Sequence, residues 1–375
     1  MFIPDGIVAI KNRDSQGAIV IRRGTSEKYS IDEDMILLLK HINNHPLDTH
    51  NDIEKTFGIG NCVLENLQSL NIIRDGVKEP SHFYKGPKDF DHLNIEITTR
   101  CNLYCKHCCY GCGNVGTDMP MDVFRSIIDV CISEEIPHIT ITGGEPMLHP
   151  DLREMLDIAD ESNIAVTLFT NLTRYDISIL SEIRNHRVHK VVTSIESYDS
   201  KTHDAFRRMD GAHRKTTDGI EWLVEHGVPV EVNLVIGPHN CKMIDDTISF
   251  IKGLGARCKI DVISPFGRAS NNDIDYQTII SELRRHSYKP DYSCGICSGM
   301  LFISADGTTH ICPSIREPDY SLGCLTDPDF SLTECKTKYN QIGLSQKDYP
   351  GCRARALNMS GNIRNEDPIY RELSR

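Results

Sequence analysis

Three cysteines at the spacing C-x3-C-x2-C, in Cys101-Asn-Leu-Tyr-Cys105-Lys-His-Cys108, constrain this chain more than any other feature. Thiolates so placed can ligate three irons of a [4Fe–4S] cluster and leave the fourth iron open to chemistry. The segment before them, Leu93-Asn-Ile-Glu-Ile-Thr-Thr99, reads as a β-strand. The cysteines therefore occupy a loop at a strand's C-terminal end, where α/β barrels carry their active sites. Taken alone, the triplet also suits a zinc site.

A second segment narrows the choice. Strand-like His138-Ile-Thr-Ile-Thr142 runs into Gly143-Gly144-Glu145-Pro146. Glycines allow a close backbone approach, and a carboxylate accepts from an ammonium group. The two motifs together resemble the signature of the radical S-adenosylmethionine (radical SAM) enzymes, with His107 in the aromatic slot of the cysteine motif. The resemblance implies a [4Fe–4S] cluster on Cys101, Cys105 and Cys108. It implies S-adenosylmethionine (SAM) as cofactor, its amino group met by the Gly143–Pro146 turn. It also places Asn171 and Ser194, at the ends of the third and fourth strands, near the SAM ribose and carboxylate; strand-end capping is their alternative role.

Composition excludes several classes. Net charge is −12, which argues against a nucleic-acid partner. No 18-residue apolar run exists, so no membrane span is expected. Met1-Phe-Ile-Pro-Asp5 lacks the basic and apolar regions of a secretory signal. Fifteen cysteines clustered at short spacings then point to metal in a reducing cytoplasm, not to disulfides.

Residues 1–80 read as a separate small domain. Gly6–Lys11 and Ala18–Arg22 form two predicted strands, and Ser26–Ile31 adds a third. Asp32 caps a helix bearing Met35, Leu38, Leu39 and Ile42; further helices cover Asp48–Phe57 and Asn61–Leu70, and Ile72-Ile73 begins a wing. This order resembles a winged helix-turn-helix. Residues 1–85 hold ten Lys+Arg against twelve Asp+Glu, and the third helix has no cation, so DNA binding is not expected. The arrangement looks instead like the element that captures precursor-peptide leaders in ribosomal peptide-modification pathways. In that element the leader adds as a strand beside the third strand and packs on the third helix. A purely bracing role is the alternative.

A polar linker, 81–90, precedes six alternating β/α units. The predicted strands are Leu93–Thr98, His138–Thr142, Ala165–Thr170, Lys190–Ile195, Val228–Val235 and Lys259–Ser264. Between the first two, Met121–Glu134 carries Phe124, Ile127, Ile128 and Cys131 on one helical stripe. The expected fold is a partial (β/α)6 barrel over 91–270, an α/β class, with a cysteine-rich extension over 271–375.

That extension holds a second set: Cys294, Cys297, Cys312 and Cys352. Phe302–Ile311 reads as a hairpin turning at Asp306-Gly307, which draws Cys297 towards Cys312. The spacing Cys297-x9-Gly307-x4-Cys312, the closing Gly351-Cys352 and the segment Pro265-Phe-Gly-Arg-Ala269 resemble the SPASM and twitch extensions of radical SAM proteins. One auxiliary [4Fe–4S] cluster is implied, with structural zinc as the alternative. Cys324 and Cys335 lack partners at the family's spacing, so no second auxiliary cluster is expected. Cys62 and Cys131 read as packing residues. Cys241, in the loop after the fifth strand, is a candidate hydrogen donor or thioether former.

The resulting expectation is a maturase that modifies a precursor peptide through radical hydrogen abstraction, supplied with electrons by a flavodoxin- or ferredoxin-type reductant. Two alternatives stand beside it. One is a radical SAM enzyme of a small cofactor or porphyrin-like substrate. The other is an iron–sulfur winged-helix regulator, which Gly143-Gly144-Glu145 and the missing basic helix disfavour.

Overall fold

The computed structural model describes residues 1–375 except 5, 12–16, 24, 26, 79–83, 86–89, 91, 271–273, 288–293, 345–348 and 375; the side chains of 11, 84, 85, 297 and 298 are also outside the described set. The chain opens with strands β1 (Ile7–Lys11), β2 (Ala18–Arg22) and β3 (Lys28–Ile31). Helices α1 (Glu33–Asn44), α2 (His50–Phe57) and α3 (Asn61–Ser69) follow, then a short β4 (Tyr84–Lys85). Local chemistry sets these boundaries. Asp32 caps α1 by accepting from the Met35 amide, and Thr49 and Asp52 form a reciprocal capping box on α2. The sheet order is β3-β2-β1-β4, and the unit has its own core of Leu38, Leu39, Ile42, Ile53, Leu64 and Leu67.

Two details depart from expectation here. Ile72 and Ile73 form no strand; both are buried in the unit's core, and only Arg74 bridges, to Phe2. The fourth strand comes instead from the linker, pairing parallel to β1.

Six β/α units follow. The strands are β5 (His92–Thr98), β6 (His138–Gly143), β7 (Ala165–Phe169), β8 (Lys190–Ser194), β9 (Val230–Ile236) and β10 (Arg257–Val262). Among them lie α4 (Met121–Ser133), α5 (Leu152–Glu161), α6 (Ile177–Asn185), α7 (Ser200–Arg207), α8 (Ala212–Glu225) and α9 (Ile244–Gly253), with α10 (Tyr276–Arg285) after β10. All five strand pairs from β5 to β10 are parallel and in sequential order, the pattern of a partial barrel. The α4 stripe of Phe124, Ile127, Ile128 and Cys131 is buried as its periodicity requires.

The extension does not stand apart from this sheet. Strand β11 (Met300–Ile303) pairs parallel with β5, and β12 (Thr308–His310) and β13 (Ser321–Cys324) continue it, giving one nine-stranded sheet. Helices α11 (Leu332–Ile342), α12 (Arg353–Ser360) and α13 (Pro368–Ser374) complete the chain. No helix among the described residues is long and apolar enough to cross a membrane.

The first unit packs on the barrel's floor, the end opposite the cysteine loop. Buried Arg23 is ion-paired with Asp160, and Val8 and Ile21 lie against Ala165. Three imidazoles lie at that floor. His92 meets Thr140 Oγ1 at 2.7 Å, His138 meets Thr167 Oγ1 at 2.9 Å, and His189 faces the ring of His138 edge-on. Burial, followed by nearby lysines, holds His92 and His189 down to about 4. The unfolded chain protonates such groups near pH 6.5, so unfolding takes up protons between those values. Stability is therefore complete above pH 6.5 and falls as pH is lowered, by up to about 2 kcal/mol per imidazole at pH 5. Denaturant midpoints at pH 7 and pH 5 check this; equal midpoints would refute it.

Candidate active site

The cysteine triplet lies in an excursion, 99–118, between β5 and α4, and ordinary hydrogen bonds shape it. Cys101 N donates to Gly113 O at 2.7 Å and Thr99 N to Thr117 O at 2.9 Å. At its base Arg100 makes two bonds to Asp118, Nε to Oδ1 at 3.0 Å and Nη2 to Oδ2 at 2.6 Å. The glycines of β6 fit against this base. A Cβ on Gly143 would lie 2.2 Å from Thr98 O, and one on Gly144 2.1 Å from Arg100 O. Only glycine lets the end of β6 pass so close to the end of β5.

Cys101, Cys105 and Cys108 line one cavity of about 190 Å³, together with His107, Gly143, Gly144, Asn171 and Ser194. The structure thus brings together most of the residues the two motifs single out. Burial pushes the Cys101 thiol up to about 12 and raises Cys105. Cys108 moves the other way, to about 5, because the Cys112 thiol donates to its sulfur. The upward shifts at Cys101 and Cys105 are those of thiols without a metal beside them; a metal bound there would deprotonate them. Among the described residues no three His, Cys, Asp or Glu groups converge on one ion position.

Glu145 and Pro146 are the exceptions within the turn. Neither lines the cavity, and both are buried. Glu145 Oε1 accepts from Met147 N at 3.0 Å and Thr170 Oγ1 at 2.7 Å, and Oε2 accepts from Asn171 N at 2.6 Å. Oε1 accepts twice and Oε2 once, so Oε2 keeps an acceptor site. The carboxylate also pins Asn171, which lines the cavity and whose Nδ2 lies 3.9 Å from Cys101 Sγ.

Cys241 also departs from expectation. It is buried in the main core and is not among the residues lining the cavity that holds the cysteine triplet. Its amide and that of Asn240 both donate to Gly237 O, forming a tight turn that leads into α9.

Several cavity residues escaped the sequence reading. Arg207, at the end of α7, reaches Cys105 Sγ at 3.7 Å and pairs with Glu196 at 2.6 Å. Glu196 has no solvent exposure. Burial alone would raise it, but Arg207, His107 and His239 hold it well below the usual carboxylate range. His107 stacks on Phe206 with ring centres 4.9 Å apart, and Phe206 stacks on His239 at 3.6 Å. A buried carboxylate stripped of its closest cation is costly, about 3–5 kcal/mol. Arg207→Met is expected to lower thermal stability by that order, and Glu196→Gln by less, since it removes the buried charge. Calorimetry of both variants checks the ranking.

Arg268 is the second unforeseen residue, although its segment was noted. It spans the open side of the barrel and clamps the cysteine loop. Its amide donates to Cys108 O at 3.0 Å, Nε to Cys105 O at 2.8 Å and Nη1 to Cys112 O at 2.7 Å. Gly267 must be glycine, because a Cβ there would lie 2.2 Å from Cys108 O.

In the extension, burial raises the Cys312 and Cys352 thiols, Cys352 to about 11; Cys352 and Cys294 add to the rise at Cys312, and Cys294 to that at Cys352. The side chain of Cys297 lies outside the described residues. Asp367, fully buried and paired with Arg355 at 2.9 Å, accepts from Cys352 N and fixes the start of α12. Cys324 bonds to Thr326, and Cys335 is the buried residue of α11. Cys62, read as a packing residue, is exposed.

Comparison with known proteins settles the family. The family model described as the radical SAM superfamily matches residues 95–251. The AdoMet-dependent heme synthase of Oleidesulfovibrio alaskensis is 30% identical over 333 residues, covering 73% of this chain and 85% of that protein. The chain belongs to the radical SAM superfamily. The subtilosin biosynthesis protein AlbA of Bacillus subtilis is 29% identical over 232 residues, 60% of this chain and 51% of AlbA. The chain thus spans about half the length of several curated relatives it matches. Among solved structures, SuiB of Streptococcus suis aligns at 16% identity over 98% of this chain and 99% of its own, with a TM-score of 0.67, and it has also been crystallised with the precursor peptide SuiA. As a radical SAM enzyme the chain uses SAM with a [4Fe–4S] cluster, a source of a hydrogen-abstracting radical. Cys101, Cys105 and Cys108 would hold such a cluster, beside the cavity that they line.

Proposed function

We propose that this radical SAM enzyme modifies a ribosomally made precursor peptide whose leader is captured by the first unit. The supporting observation is the free edge of that unit's sheet: among the described residues β3 has no partner on its outer side. An extended peptide can add there as a further strand and reach α3. SuiB, with a like fold over nearly the whole chain, takes a precursor peptide, and AlbA is named for bacteriocin biosynthesis.

In this reading Cys101, Cys105 and Cys108 hold the SAM-binding cluster. Gly143, Gly144, His107, Asn171 and Ser194 shape the SAM pocket, and Glu145 with Pro146 positions it. Cys294, Cys297, Cys312 and Cys352 hold one auxiliary [4Fe–4S] cluster. The third helix offers a leader few uncommitted apolar side chains. Leu64 and Leu67 are spent on the unit's own core, while Val63 is half-buried and Leu70 is exposed. Anaerobic reaction with SAM, reductant and candidate precursors, read by intact mass, tests the proposal. Loss of two hydrogens marks a crosslink, and unchanged mass with altered stereochemistry marks epimerisation.

A second reading is a porphyrin-like substrate, favoured by the heme synthase of O. alaskensis at 30% identity over most of this chain. In that case the first unit serves only to brace the barrel floor.

A further inference from the structure

A cavity of about 750 Å³ opens beside the barrel mouth, between the turn after β6 and the start of α6. Its floor is apolar, with Met147, Leu152 and Ile179. Its rim carries Arg153, Arg174 and Lys215 against one carboxylate, that of Asp176. Arg153 is engaged, with Glu182 at 3.4 Å. Arg174 and Lys215 are exposed, and neither side chain has a carboxylate partner among the described residues. In a chain of net charge −12 this is a local reversal of sign.

The cavity is separated from the cysteine site by one hydrogen-bonded layer. Thr173 lines the rimmed cavity, whereas Asn171 and Cys101 line the other. Asn102 Nδ2 donates to Thr173 Oγ1 at 2.8 Å, Thr173 Oγ1 donates to Asn171 Oδ1 at 2.6 Å, and Asn171 Nδ2 donates to Asn102 Oδ1 at 3.0 Å. Asn102 is the neighbour of Cys101 in the chain, so the rim reaches a ligand thiol through a short, rigid path.

We propose that this cation-rimmed cavity is the docking site of a small acidic one-electron carrier protein, of flavodoxin or ferredoxin type, that reduces the cluster. A cluster held by Cys101, Cys105 and Cys108 would take one electron from the reduced carrier, with the Thr173–Asn102–Cys101 layer lying between the two. No bond is made or broken and no proton moves. An acidic carrier is repelled by the chain's overall charge, so a local pair of free cations decides where it docks and how fast. Entry from this side also leaves the SAM cavity free for cofactor and substrate.

The test uses full-length protein and an acidic flavodoxin. In the Arg174→Ser/Lys215→Ser variant, association with flavodoxin at low ionic strength is expected to slow by roughly tenfold or more. The difference should shrink as salt screens the rim. SAM cleavage driven by dithionite should be unchanged, while cleavage driven by flavodoxin hydroquinone should fall in parallel with association. Lys215→Ser alone provides a milder version should the double variant fold poorly. Equal flavodoxin association in variant and wild type overturns the proposal. So does an equal loss with dithionite, or weakened binding of the peptide substrate in place of the carrier.

Discussion

Cys105→Ala is expected to abolish reductive cleavage of SAM. The thiol is buried at the base of the cavity, contacted by Arg207, and no other cysteine stands ready to replace it. Cys112 lies outside the cavity lining and is engaged with Cys108. Cys109 does line the cavity, but it is bonded to Ser314, whose amide in turn donates to Cys312 Sγ, so it is tied to the second cysteine set. Two remaining thiolates cannot hold a cluster with one open iron. Iron should fall from about eight to about four per chain, because the extension's set is untouched. Cys241→Ala, a change in the core, should retain cleavage if the protein stays folded. Wild-type release of 5′-deoxyadenosine from a reconstituted Cys101/Cys105/Cys108 triple-alanine variant would overturn the assignment of the site.

The parts legible from sequence are those written in local pattern. The six barrel strands follow short apolar runs, and each predicted segment overlaps its observed strand within a few residues. The glycine pair 143–144 announced a close backbone approach, and the contacts with Thr98 O and Arg100 O show which one. What stayed hidden depends on contacts between distant residues. Nothing local in Ser194-Ile-Glu196 says that its carboxylate will meet Arg207 from the next helix. The hairpin at Asp306-Gly307 was readable, but its parallel junction with β5, about 200 residues earlier, was not. At Glu145 the motif marks a special residue, and the structure adds that its carboxylate accepts from backbone amides of its own turn and of Asn171. Side-chain direction is set by the packing of neighbouring strands, which residue order alone does not carry. Metal analysis separates the two readings of the second cysteine set: about eight irons per chain for a second cluster, about four with one zinc for the structural alternative.

Val63→Asp combined with Leu70→Asp is expected to collapse turnover of the precursor peptide while sparing SAM cleavage in its absence. The argument starts from what α3 leaves uncommitted. Leu64 and Leu67 are 0% and 5% exposed and belong to the unit's own core. Val63 is half-buried at the edge of that core, and Leu70, just past the last turn, is 38% exposed. A leader strand added outside β3 would lie over this face, with Tyr29 and Ile31 as its half-buried neighbours on the strand. Covering two aliphatic side chains is worth about 1.5–3 kcal/mol each, so placing a carboxylate at both should weaken leader affinity by roughly 100-fold or more. The site thiols lie at the opposite end of the barrel, so uncoupled 5′-deoxyadenosine formation should persist. Thermal midpoints separate lost recognition from unfolding, and Leu70→Asp alone, at the more exposed position, serves if Val63 proves structural. Leader titration and intact-mass turnover supply the readouts. Under the porphyrin reading neither measurement should respond to these substitutions. Unchanged peptide turnover in a folded variant would remove the first unit from substrate capture and leave it as a brace for the barrel floor.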